Sequence, residues 1–269
     1  MNKKFWLKVC KDLGNLVFEK VKELKGIEES KRVLKRGFSG DKTLVIDEMI
    51  ERLVIDSLSS LGKRITLISE EIGVIKIGEG EPEAVIVLDP LDGSNNFKFG
   101  FPFVSTSIAV CEKCEKMRDV EVGYVINLIS GKEYYATKGG GSFSNEEKIK
   151  VSKEKMNCLL IDIVSERKHN FKRISRVGEF FKFVRMFGSC CLGICYVAEG
   201  SADAYLGLGG KRTIDPAASQ LIIKEAGGVV KDLEGKDFSE YDIGFNVPCN
   251  VIAASSKRMY EEIKSILVD

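Results

Sequence analysis

The chain has 269 residues, with 41 Lys and Arg against 40 Asp and Glu and a formal net charge of +1 at pH 7. That length fits one large domain or two smaller ones with a full core, and the near-cancelled charge excludes a global field of the kind that draws nucleic acid or a membrane surface. No apolar run approaches membrane-spanning length, and Phe5 and Trp6 are followed at once by Lys8, Lys11 and Asp12, unlike a secretion signal, so a cytoplasmic protein is expected.

Apolar residues at 6, 9, 13, 16, 17, 21 and 24 fall on one stripe, which predicts a helix over 3–25 stopped by Gly26. Residues 27–42 are charged, carry Gly37 and Gly40, and read as a mobile loop. A second helix is predicted over 43–61, ended by Gly62, then strands over 64–69 and 84–89. Strands of a meander follow over 104–111, 121–129 and 133–136, before the turn Gly139-Gly140-Gly141. The second half opens with a strand over 158–164 and a helix over 170–181, then strand-like 183–187 leading into Gly188-Ser189-Cys190. A helix over 191–199 closes at Gly200, and 202–206 is short and strand-like. After Asp215-Pro216 comes a helix over 217–225 ended by Gly227-Gly228, two strands (229–232 and 250–254) and a terminal helix. Without repeat or linker, the pattern divides into two α/β halves, 1–148 and 149–269.

Residues 85–97 carry the most chemical information. Val-Ile-Val-Leu reads as a buried strand that breaks at Pro90 and Gly93, leaving Asp89 and Asp92 at its exit and Ser94 just beyond. Two carboxylates there are costly unless something positive joins them. A hard divalent cation, which takes oxygen ligands and could add the Leu91 carbonyl, is the natural companion. Taken alone, the run reads equally as an Asp-Pro-x-Asp-Gly turn. Glu70 ends the preceding strand, and Asp215 starts a helix, where Asp alone is a good N-cap. Asp41 and Asp47 singly pass as solvated or capping residues. As a set, Glu70, Asp89, Asp92 and Asp215 are all-oxygen and select Mg²⁺ or Mn²⁺ over zinc. Gly188-Ser189 before a helix reads as free amides at a positive dipole end, a phosphate site, and Gly93 with Ser94 as a similar pair.

Eight cysteines are scattered along the chain; Cys111 and Cys114 form a lone C-x-x-C that reads as an exposed hairpin turn, with no second pair at zinc-ribbon spacing. Reduced thiols are expected. His169 is the single histidine, which excludes a multi-His metal site and argues against a Ser-His-Asp triad; its polar surroundings read as a solvated loop.

In these motifs the chain resembles the inositol monophosphatase and fructose-1,6-bisphosphatase superfamily. Asp89-Pro90-Leu91-Asp92-Gly93-Ser94-x-Asn96 is similar to its first signature, and Asp215-Pro216-Ala217-Ala218 with Glu225-Ala226-Gly227-Gly228 to its second. Glu70-Glu71, Asp41 with Asp47, and Gly188-Ser189 fall in the matching order. The resemblance covers essentially the whole chain and is closest to the archaeal members that act on both inositol-1-phosphate and fructose-1,6-bisphosphate. It implies an α/β (α+β) fold, a layered αβαβα sandwich of the sugar-phosphatase type, and a homodimer acting on a small phosphorylated metabolite.

It further implies that Glu70, Asp89, the Leu91 carbonyl, Asp92 and Asp215 hold two or three Mg²⁺ ions (or Mn²⁺), with Asp41 reaching a weaker third. One ion would acidify the water that attacks phosphorus in line, and another would stabilise the leaving alkoxide. Ser94, oriented by Asp47, would take the water's proton with Glu70 assisting. Gly93, Ser94, Asn95, Gly188 and Ser189 would contact substrate. Asp92→Asn is expected to abolish turnover with the fold intact. Two departures stand out: Ile214 replaces an aromatic, and Leu206-Gly207-Leu208-Gly209-Gly210 lacks the acid that contacts inositol hydroxyls. Lys211 and Arg212 follow instead. With Arg167 and Arg185 they either lie on the surface or bind a second phosphate, as a bisphosphate substrate would require. The same chemistry on NADP, 3′-phosphoadenosine 5′-phosphate or another small phosphate stays open, as does a non-catalytic phosphate-binding protein on this scaffold.

Overall fold

Helix and sheet alternate in five layers in the computed structural model, which describes residues 1–24, 26–38, 42–163, 167–245 and 247–268. The outermost layer holds α1 (Lys3–Leu24) and α2 (Val45–Ser59). Trp6, Val9, Leu13, Val17 and Val21 recur at helical spacing on α1 and are buried, so the stripe that forms the helix also docks it. Between the two helices, a hairpin of β1 (Val33–Arg36) and β2 (Lys42–Leu44) occupies much of the segment expected as a loop. Its tip, with Asp41, lies outside the described residues.

The second layer is an eight-stranded sheet in the order β10-β9-β8-β7-β6-β5-β3-β4. Its members are β3 (Ile65–Ser69), β4 (Gly73–Ile77), β5 (Ala84–Asp92), β6 (Ser105–Cys111), β7 (Val122–Asn127), β8 (Glu133–Thr137), β9 (Gly141–Ser144) and β10 (Glu147–Ile149). Only β3 and β5 run parallel. A short α3 (Ser94–Phe99) follows β5. β5 is buried along nearly its whole length, as a strand covered by helices on both faces must be. Contrary to expectation it runs through Pro90, because a register shift between Asp89 and Asp92 spares the ladder the missing N–H. That bulge turns both carboxylates toward one end of the sheet.

The remaining elements are β11 (Cys158–Ile163), α4 (Arg167–Phe180), β12 (Phe183–Arg185), α5 (Cys190–Ala198), β13 (Ala204–Arg212), α6 (Ala217–Glu225), β14 (Val229–Lys231), β15 (Pro248–Ala254) and α7 (Lys257–Val268). The strands form a second sheet, ordered β12-β11-β13-β15-β14. α5 and α6 lie between the two sheets, and α4 with α7 covers the far face. α5 is apolar all round and almost wholly buried, the pattern of a helix with no solvent side. Its cysteines pack as small hydrophobes; burial pushes the Cys191 and Cys195 thiols up and keeps them neutral.

Close approach of α6 to β7 depends on one glycine. A Cβ at Gly123 would stand 2.6 Å from the Ala218 carbonyl oxygen. Gly123→Ala is expected to destabilise by about 1–3 kcal/mol through overpacking, a fall in Tm of roughly 3–10 °C. An unchanged Tm would show that the layers do not meet this closely.

Other expectations shift. β4, β9, β10 and α3 were not anticipated; β4 sits at a sheet edge with only its ends buried, so its apolar signal is weak. β13 extends to Arg212 across a bulge between Gly207 and Lys211. His169 falls on α4 rather than in a loop, with its side chain outside the described residues. The C-x-x-C lies at an exposed turn after β6, as expected, with Glu112 and Lys113 exposed and Cys111 buried; the pair, expected as reduced thiols, is disulfide-linked, with Cα atoms 5.6 Å apart.

Candidate functional site

Parallel pairing of β3 with β5 brings two chain exits side by side, and the Glu70 N–H donates to the Leu88 carbonyl (3.2 Å). Glu70 and Asp89 thus emerge together, and Asp215 reaches them from the turn before α6. Carboxylate oxygens of Glu70, Asp89 and Asp215 lie within 4.8 Å of one another. Atoms of Asp89, Asp92 and Cys191 form an overlapping second group.

Such crowding is electrostatically costly. Burial first, then the Asp215 charge, pushes the Glu70 carboxyl up to about 8, against the lowering effect of Arg212. Asp89 is pushed well above the usual carboxylate range by burial and by Glu70, Asp92 and Asp215. Carboxyls raised by burial and mutual repulsion, with oxygen as their main donor, suit a hard divalent cation, which would relieve both. The Leu91 carbonyl stands at the same turn and accepts a hydrogen bond from Ser94 Oγ (3.0 Å).

Asp92 is held differently. Its oxygens accept from Ser105 Oγ (2.9 Å), Ser189 Oγ, and the N–H groups of Cys190 (3.1 Å) and Cys191 (2.9 Å). Ser189 is also the N-cap of α5. The first amides of α5, those of Cys190 and Cys191, and its N-terminal dipole are therefore directed at Asp92. Ser105 had one sequence signal, a polar Ser-Thr-Ser run inside a buried strand; its role follows only from its pairing opposite Asp92.

Asp47 caps its own helix, accepting from the Leu44 N–H at 2.6 Å, while its Oδ1 is buried with no hydrogen-bond partner. Burial, together with the charges of Glu71, Glu70 and Glu51, pushes its carboxyl well above the ordinary range. The Ser94 hydroxyl points to Leu91 rather than to Asp47. Gly93 is left-handed (φ 94°), and a Cβ there would stand 2.7 Å from the Phe103 carbonyl oxygen, so only glycine fits this turn. Asn95 is exposed, whereas Asn96 is buried and donates to the carbonyls of Phe103 (2.8 Å) and Phe187 (2.5 Å). Asn96 therefore ties the β5 exit to the segment before Gly188.

Arg212 has partners that the sequence did not show. Its Nη2 pairs with Glu70 Oε1, and its Nε lies 3.4 Å from Asp215 Oδ1. It sits within the acidic centre rather than in a separate phosphate pocket. Arg185 is exposed, bonded to the Val184 carbonyl and lying over the Phe183 ring; neither contact joins it to the cluster. The side chains of Arg167 and Lys211 lie outside the described residues.

Behind Glu70, sequence reading missed Glu51. Its carboxylate accepts from Ser69 Oγ, tying it to the residue before Glu70, while its Oε2 is buried and without a partner among the described residues. Burial pushes its carboxyl from 4.5 up to about 7. A carboxyl so raised contributes stability that is fully present below about pH 4.5 and is lost as pH rises through about 7. Glu51→Gln cannot ionise, so its Tm relative to wild type is expected to climb across that window. A difference constant with pH would contradict the assignment.

A model described as the inositol monophosphatase family matches residues 3–269. The fructose-1,6-bisphosphatase/inositol-1-monophosphatase of Methanothermobacter thermautotrophicus is 36% identical over 276 residues, covering 98% of this chain and 96% of the relative. The bifunctional NADP phosphatase/NAD kinase of Methanococcus maripaludis is 35% identical, covering 97% of this chain but 48% of that protein. A solved inositol monophosphatase–fructose 1,6-bisphosphatase superposes with a TM-score of 0.84 at 30% identity, covering 97% of this chain and 99% of the other. A Pyrococcus horikoshii protein with similarities to inositol-1 monophosphatase gives 0.82 at 28% identity, covering 98% of each chain. The chain belongs to the inositol monophosphatase family and is a phosphatase.

Proposed function

We propose that the enzyme hydrolyses the phosphate monoesters of fructose-1,6-bisphosphate and inositol-1-phosphate with Mg²⁺ as the resident cation. The observation that carries this reading is the convergence of Glu70, Asp89 and Asp215 at the β3 and β5 exits. These three, with the Leu91 carbonyl and Asp92, would hold the metal, and Asp41 would add to it. Bound Mg²⁺ would supply charge to the phosphate oxygens and lower the pKa of a water. The remaining work falls to the chain. Glu70, at the edge of the centre, and the Asp47 Oδ1, unpartnered among the described residues, are the acceptors for a proton leaving that water. Ser94 Oγ orients the Leu91 carbonyl, and the backbone at Gly93, Ser94 and Asn95 borders the substrate phosphate, with Gly188 and Ser189 opposite. Arg167, Arg185 and Lys211 are the candidates for a second phosphate. A homodimer belongs to the same reading and rests on the family resemblance, and a cytoplasmic location rests on the charged N-terminal sequence; among the described residues no helix is long and apolar enough to cross a membrane.

A second reading, NADP as substrate, is favoured by the relatives named as bifunctional NADP phosphatases. Phosphate release from the three compounds side by side, with Mg²⁺ and with EDTA, separates them. Metal-dependent release favouring the bisphosphate is expected. Release from NADP alone would keep the chemistry and overturn the sugar assignment; release that EDTA leaves intact would overturn the metal.

A further inference from the structure

We infer that Arg212 is a displaceable internal cation: it neutralises Glu70 and Asp215 in the metal-free enzyme and must leave them when a divalent cation enters. This rests on the metal-centre reading above. Three geometric observations support it. Arg212 contacts two of the three carboxylates that converge at the centre, through two different nitrogens of one guanidinium. The three side chains are shielded, with exposures of 17% for Arg212, 12% for Glu70 and 9% for Asp215, so these pairs are not the loose surface kind that contributes little. And Arg212 closes a strand with a register shift between Gly207 and Lys211 and a left-handed Gly209 (φ 97°), backbone that can re-aim an end residue more readily than a regular ladder.

The electrostatics give the direction. Acidic side chains at this density require a positive partner, and a guanidinium supplies a single charge through a planar fork. A divalent ion supplies two charges at a point and takes the same oxygens as ligands. Arg212 and the metal therefore compete for Glu70 and Asp215. The guanidinium stabilises the empty centre, lowers its affinity for the ion, and on release stands beside the substrate as a cation.

Calorimetric titration of Mn²⁺ into the substrate-free full-length protein, paired with the melting temperature of the metal-free form, tests this. Arg212→Ala is expected to melt lower without metal and yet bind Mn²⁺ about tenfold tighter, the factor that removal of a competing cost of roughly 1.4 kcal/mol would give. Arg212→Lys, which keeps the charge but loses the fork, is expected to fall between the two. If Arg212→Ala cannot be folded, the Lys variant decides alone: tighter Mn²⁺ binding than wild type supports displacement. Affinity equal to wild type would make Arg212 a bystander, and weaker affinity would make it a support for the ligands; either overturns the inference while leaving the metal centre standing. Failure of the wild-type protein itself to bind Mn²⁺ would overturn both.

Discussion

Asp89→Asn is expected to lower metal-dependent turnover by about 10³-fold or more, since loss of a central ligand removes several kcal/mol of charge stabilisation. The same variant is expected to melt higher than wild type when both are metal-free at neutral pH. Burial first, and then repulsion from Glu70, Asp92 and Asp215, raises the Asp89 carboxyl well above the normal range. An uncharged amide removes the repulsion, while its oxygen can still accept from the Leu91 N–H, which now reaches Asp89 Oδ1 at 3.1 Å. Opposite movement of activity and stability marks a site strained for function. Turnover within tenfold of wild type, or a lower metal-free Tm, would contradict the role given to Asp89. Asp92→Asn is the weaker test. With four donors on the Asp92 carboxylate, an amide nitrogen would face groups that also donate, so the fold at the α5 N-terminus would suffer along with activity.

Metal affinity should depend steeply on pH. Glu70 is raised to about 8 even with Arg212 beside it, and Asp89 is raised well above its ordinary range, so the metal-free centre retains protons that an entering cation must displace. Below about pH 8 the apparent affinity for Mg²⁺ or Mn²⁺ is expected to weaken, by up to roughly tenfold per pH unit for each proton released, and to level off above it. Calorimetry in buffers of different ionisation enthalpy counts the protons directly. A flat affinity from about pH 6 to about pH 9, with no proton release, would show that the carboxylates are already ionised and that Arg212 neutralises them more fully than burial allows.

Much of this site was legible from residue order. Apolar runs ending in acids mark strand exits, and Asp89, Asp215 and Glu70 each lie at such an exit or helix start. The layered fold followed from the alternation of helical stripes and short apolar runs. Pairing and register were not legible. Nothing in the sequence says that Ser105 faces Asp92, that Asn96 reaches the Phe187 carbonyl, or that Glu51 accepts from Ser69. Each of these contacts joins residues far apart in the chain and depends on where whole elements dock. What the sequence did not show at the α5 N-terminus is the carboxylate that reaches it: Asp92 takes the Cys190 and Cys191 amides. Arg212 was read as either a surface cation or, with Lys211, Arg167 and Arg185, a contact to a second phosphate, because it follows the run that lacks the family's acid. Its position three residues before Asp215 equally allowed it to fold back on the acids, as it does.

A crystal structure of the enzyme soaked in Mn²⁺, with anomalous differences recorded at the manganese edge, tests the central claim most directly. The expected result is anomalous density among Glu70, Asp89, the Leu91 carbonyl and Asp215, within ligand distance of their oxygens. Density confined to other carboxylates, or none at Mn²⁺ concentrations that support turnover, would contradict the assignment of this acidic centre as the metal site of the phosphatase.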